Sequence, residues 1–189
     1  MFAYENFSAI YDAIAHMLVP LYIIALIVAW KNINVRYLIT VMLVIEALDV
    51  LTIDFAFSLG NSFYLWAAFG NLLFLVPVLG RRLIAVNLSS KMKIFEKIHS
   101  EYNFTKQEGG LIFLFAISSL LCLISFIEAS LYTAAIIPKT PIISNVYGPV
   151  LTLAHLLEAF LILSLATKSL WTMITSKTEK SDKNRSYST

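Results

Sequence analysis

Apolar positions along the chain gather into long runs separated by short polar punctuation. A helix needs about 20 apolar residues to cross a bilayer core roughly 30 Å thick. Five runs qualify, at about 7–30, 37–59, 62–79, 111–133 and 149–170. The pattern predicts an all-α fold, a polytopic transmembrane helix bundle with five spans. The first span is the weakest, because its strictly apolar part is short, it contains Pro20, and Asp12 and His16 sit near its start. A four-span arrangement, with residues 1–30 lying partly in the interface, is the alternative. No Lys or Arg precedes Lys31, so the first run lacks the positive n-region of a signal peptide.

The segments between the runs are mostly short. Positions 31–36 and 60–61 leave room only for tight helical hairpins. Residues 81–110 form the one substantial polar segment, and Ile84, Leu88, Met92, Phe95 and Ile98 recur in it at three- or four-residue spacing, the period of an amphipathic helix. Thr105-Lys-Gln-Glu108 fits a capping box, which predicts a new helix starting there and running into the fourth span. Pro149, after Gly148, suits the first turn of the fifth helix, where its missing N–H is no loss. Residues 1–171 thus read as a transmembrane domain and 172–189 as a polar basic tail, expected to be disordered from Lys177.

Composition sharpens this reading. The chain is 59% hydrophobic and 14% charged with mean hydropathy +0.78, against about 45–50% and 25% for soluble domains. Intrinsic disorder, which needs low hydrophobicity and high charge, is excluded. A disulfide framework is excluded too, since Cys122 is the single cysteine. The net charge of +2 hides an uneven distribution: thirteen of the fourteen Lys and Arg residues fall on one side of the five-span arrangement, and Lys139 alone falls on the other. Positive charge stays cytoplasmic, which places the N-terminus outside and the C-terminus inside. The expected location is a bacterial inner (cytoplasmic) membrane, with no direct nucleic-acid partner.

Five carboxylates interrupt the spans: Glu46, Asp49, Asp54, Glu128 and Glu158. An acid at a helix centre costs roughly 2.5–3.5 kcal/mol on an insertion scale. The apolar remainder of the second span offsets its acids, provided they do not face lipid. At about 100° per residue, Glu46, Asp49 and Asp54 fall within an arc of about 140°. His155 and Glu158 share a face of the fifth span. Depth arithmetic puts Asp54, Glu128 and His155 at similar heights in the outer half, with Asp49 and Glu158 near the midplane. No Lys or Arg lies deep in any span. Desolvation disfavours the charged form, so these acids must be protonated, hydrated or balanced by a bound cation. The six residues Glu46, Asp49, Asp54, Glu128, His155 and Glu158 form the candidate intramembrane polar site. The alternative is a set of neutral carboxyls, each bonded to backbone or to hydroxyls such as Ser118, Ser119 and Ser125. Ser125, Ala129 and Thr133 make a small-residue stripe, read either as packing inside one bundle or as a subunit contact in a homo-oligomer.

No HExxH, Cys/His cluster, GxSxG, P-loop or nucleotide-binding glycine motif is present. No catalytic residue, cofactor or metal is therefore assigned. His155-x-x-Glu158 with Glu46 and Glu128 has some of the ligand types of di-metal bundles, in reversed order and without the second copy. In size and span count the chain is similar to small polytopic subunits of bacterial multi-protein systems, including defence systems; no motif carries that likeness.

Three expectations follow. The first is a non-enzymatic membrane subunit that senses or anchors. It would present Arg81, Arg82, Lys91, Lys93 and Lys97 to a cytoplasmic protein partner or to membrane lipid. The second is a proton or cation channel or transporter using the intramembrane carboxylates. The third is an intramembrane metal-dependent enzyme.

Overall fold

A computed structural model describes residues 17–89 and 104–186, and among these every regular element is helical, with no strand. Helix α1 covers Met17–Val28. The turn after it closes on Asn32, whose Oδ1 accepts from the backbone N–H of Asn34 and Val35 at 3.1 and 3.2 Å, the standard cap for a helix start. Helix α2 (Ile33–Ser58) begins there. Arg36 ties the turn back to α1: its Nη1 donates to the Trp30 carbonyl at 3.2 Å, and its guanidinium lies 5.1 Å from the centre of the Trp30 ring. A single 3-10 turn, Gly60–Ser62, joins α2 to α3 (Phe63–Ser89). Gly60 has φ of +58°, a left-handed conformation that a side chain would strain.

Helix α4 (Lys106–Thr133) starts at the expected capping box. Thr105 Oγ1 accepts from the Glu108 N–H at 3.2 Å, and the Glu108 carboxylate accepts from the Thr105 N–H at 2.7 Å. Thr105→Ala removes half of this exchange and should cost about 0.5–2 kcal/mol. Thermal unfolding in detergent, followed by circular dichroism, should drop by a few degrees. An unchanged midpoint would mean that tertiary packing alone holds this helix end.

Helix α5 (Gly148–Ser186) departs from expectation at both ends. It does not begin at Pro149. Helical residues start at Pro141 and pass through a π-helical stretch, Ile143–Tyr147, straight into α5. Pro149 has no N–H to offer Asn145, and widening the preceding turn removes the demand for that bond. At the other end the helix continues to Ser186 rather than fraying at Lys177. No Gly or Pro follows Pro149, and adding a residue to an existing helix costs little. In the same way the first part of segment 81–110 is a continuation of α3 as far as Ser89.

Two stretches are long and apolar enough to cross a membrane, Lys106–Thr133 and Ile143–Trp171. Helix α2 has 26 residues but carries Arg36, Glu46, Asp49 and Asp54. Helix α3 packs most extensively on α4, with further contacts of α3 on α2 and of α4 on α5. Small residues allow the α3–α4 approach: Ser119 Oγ donates to the Ala68 carbonyl at 3.2 Å. The Ser125–Ala129–Thr133 stripe is used inside the bundle. Ser125 and Ala129 are buried, and Asn61 Nδ2 donates to the Ala129 carbonyl at 3.3 Å.

Large apolar side chains face outward and several polar ones face inward, within an interior that is mainly apolar. Leu51 is 79% and Phe160 69% exposed, and Phe69, Phe113 and Leu120 also face outward. Glu46, Glu128, Glu158, Ser118 and Ser119 are buried. Apolar contacts divide into two layers. One gathers Tyr22, Leu38, Met42, Phe74, Phe115 and Ile162; the other gathers Ala68, Leu121, Cys122, Tyr147 and Leu151. On α3, α4 and α5 the stretches between these layers carry Asn71, Ser118 and Ser119, and Thr152, His155 and Glu158, among apolar residues that face outward such as Phe69, Leu72, Leu120 and Leu156. A polar stratum therefore separates two greasy ones.

Candidate functional site

Four of the six predicted polar residues meet in this stratum. Glu46 and Asp49 from α2 and His155 and Glu158 from α5 line one cavity of ≈ 90 Å³. The remaining walls mix aromatic residues, Trp66, Phe74, Phe115 and Tyr147 among them, with aliphatic ones such as Ile53 and Leu151 and with Asn71 on α3. Phe74 and Phe115 stack with centroids 4.7 Å apart, and they close the side toward the larger apolar layer. Gly70 stands opposite Asp49: a Cβ there would lie 3.9 Å from Asp49 Oδ1. Asp49 itself is exposed and marks the rim.

Glu158, 3% exposed, is the best-connected acid. The Tyr22 hydroxyl on α1 donates to its Oε1, and His155 Nδ1 lies 3.4 Å from its Oε2. Oε1 thus accepts a hydrogen bond, while the histidine contact at Oε2 is an ion pair when the ring is protonated. The i, i+3 spacing on α5 sets the histidine contact. Sequence reasoning missed the tyrosine, although a phenol within an apolar run is a usable signal, since its hydroxyl must find a partner when buried. Tyr22 is fully buried.

Glu46 is in a different condition. It is 7% exposed and lines the cavity. It feels the charges of Glu158, His155 and Asp49. Among the described residues it has no hydrogen-bond partner and no close ion pair. The carboxyl borders the cavity, so what fills the cavity is what can offset its desolvation. The predicted hydroxyls do not relieve it: Ser119 bonds to Ala68, and Ser125 Oγ is buried without a partner.

The other two predicted residues lie elsewhere. Asp54 is exposed and does not line the cavity. Glu128 caps the helix that begins at Pro141, its Oε1 and Oε2 accepting from the N–H groups of Ile142 and Ile143 at 2.9 and 2.7 Å. The α2 acids therefore do not act as one face, and shared depth did not bring Glu128 to His155. His16, Lys91, Lys93 and Lys97 lie outside the described residues, as do the side chains of Arg81 and Arg82. Among the described residues no group of three or more His, Cys, Asp or Glu is arranged to hold a metal ion, so the di-metal alternative gains no ligand set.

No protein family, curated protein or solved structure matches this chain. Its function is therefore argued from the cavity and the charge distribution.

Proposed function

We propose that the chain is a five-span integral membrane protein, N-terminus outside and C-terminus cytoplasmic, and a non-enzymatic subunit. It holds a proton or small cation in its carboxylate-lined cavity and so senses or passes it. The observation that carries this is the meeting of Glu46, Asp49, His155 and Glu158 at one cavity in a chain with no Lys or Arg at 37–80, 107–138 or 140–167. Three carboxyls that share a poorly hydrated interior with a single histidine favour a positive occupant or a proton. The outward apolar surface supports the membrane setting, because contiguous exposed apolar area of this extent is foreign to soluble monomers.

Reconstitution into liposomes tests the reading. A pH- or cation-driven flux should appear with the natural chain and fall at least about tenfold in Glu46→Gln. A flux that the substitution leaves unchanged, or no binding and no flux of any cation, would overturn it. Tags at the two ends should be reached from opposite sides of sealed vesicles, as an odd number of spans requires.

A second reading is favoured by the length of two helices. Helix α3 continues to Ser89, beyond its apolar part Gly60–Val76, and α5 continues to Ser186, beyond Trp171. At about 1.5 Å per residue each overhang is roughly 20 Å. Both fall on the side that holds thirteen of the fourteen basic residues. These overhangs suit docking of a soluble partner or anionic lipid, which would make the cavity the sensing end of the same subunit.

A further inference from the structure

The cavity narrows what the occupant is, provided the reading of it as a cation site holds. Three features are independent of the number of acids around it. First, the unmet demand is local. Glu158 has Tyr22 on one oxygen and His155 at the other, whereas Glu46 is buried, lines the space and has no hydrogen-bond partner. Second, the donor set is wrong for a metal. Hard cations take about six oxygen ligands, and no group of three or more acidic, His or Cys side chains among the described residues is arranged for one. Asn71 gives its Nδ2 hydrogens to the Ala67 carbonyl at 2.9 Å and to Cys122 Sγ at 3.9 Å, leaving its oxygen as an acceptor. Third, the other walls are mainly apolar and include Trp66, Tyr147 and the Phe74–Phe115 stack. Aromatic faces attract cations and also cover carbon, which a hydrated metal ion would not exploit.

Volume sets the size. An apolar cavity of about 150 Å³ admits benzene, so the ≈ 90 Å³ here takes an occupant of about three or four non-hydrogen atoms. We propose that the cavity is a binding site for a small organic ammonium ion, its nitrogen on the Glu46 carboxylate and its carbons against Trp66 and the Phe74–Phe115 pair. Asp49 at the rim is the first charge such an ion meets, and Gly70 opposite keeps that approach open.

Calorimetric titration of the full chain in lipid nanodiscs tests this, with ethylammonium as probe and tetraethylammonium as the oversized control. Ethylammonium should bind saturably, and Glu46→Gln should weaken it about 10- to 100-fold, the worth of one charge-assisted contact. Tetraethylammonium should not bind. If Glu46→Gln fails to fold, Gly70→Leu, which fills the space from the opposite wall, should give the same loss. The inference is overturned if ethylammonium releases no saturable heat, if both variants bind it as the natural chain does, or if the oversized ion binds equally well. Glu46-dependent flux of protons or inorganic cations together with no ethylammonium binding would overturn this inference alone. Absence of all binding and flux would overturn the cation reading with it.

Discussion

Glu128→Ala should lower the stability of the bundle by about 2–4 kcal/mol, from the loss of two charge-assisted bonds and a favourable helix-dipole contact. Pro141 has no N–H, so the first donors of the helix it opens are those of Ile142 and Ile143. One carboxylate takes both, at 2.9 and 2.7 Å. The residue lies on α4, fourteen and fifteen positions from its partners, and is buried. The alanine variant leaves two part-buried N–H groups without their acceptor, and each carries its own desolvation cost. Glu128→Gln keeps one acceptor oxygen and should lose about half as much. Denaturant unfolding in micelles, followed by circular dichroism, measures both. Equal stability of all three proteins would mean the cap is not made. Since Glu128 does not line the cavity, Glu128→Gln should keep cation flux close to normal, unlike Glu46→Gln. From sequence alone it stood beside the other acids as a candidate for the ion path.

The reason for that misplacement also defines what a single sequence can reveal here. Local features were legible. The Thr105–Glu108 capping box, the tight turns at 31–36 and 60–61, and the shared face of His155 and Glu158 depend on residues within one or two turns of each other, where helix geometry fixes the spacing. Depth alone, with a fifth helix beginning at Pro149, places Glu128 level with His155. The helix in fact begins eight residues earlier, with a π-helical stretch that absorbs Pro149, and that earlier start puts N–H groups over Glu128. Asp54 was read by angle on α2; a face about 140° wide is broad enough to hold both a buried Glu46 and an exposed Asp54. The cavity itself depends on the register of four helices against one another, which no local rule supplies. Tyr22 shows the same limit: it meets Glu158 across 136 residues of sequence, and only packing of α1 against α5 determines that meeting.

That contact supports the second large effect. Tyr22→Phe should destabilise the protein by about 1.5–3 kcal/mol, the worth of a hydrogen bond to an ionisable group inside a protein. The ring stays, so the packing of a fully buried side chain among Leu38, Met42 and Ile162 is preserved; only the hydroxyl that donates to Glu158 Oε1 is lost. The measurement that isolates it is a double-mutant cycle with Glu158→Gln, all four proteins unfolded under one condition. The coupling should be about 0.5–3 kcal/mol, because once the hydroxyl is gone the carboxylate has less to lose. Strictly additive effects would show that α1 is held only by its apolar face. The cycle also separates the two acids by role. Glu158 accepts from Tyr22 and faces His155 within the chain, so its neutralisation should appear chiefly as lost stability. Among the described residues Glu46 has no hydrogen-bond partner, so its neutralisation relieves a buried carboxyl and should appear as lost binding in a protein at least as stable as the original.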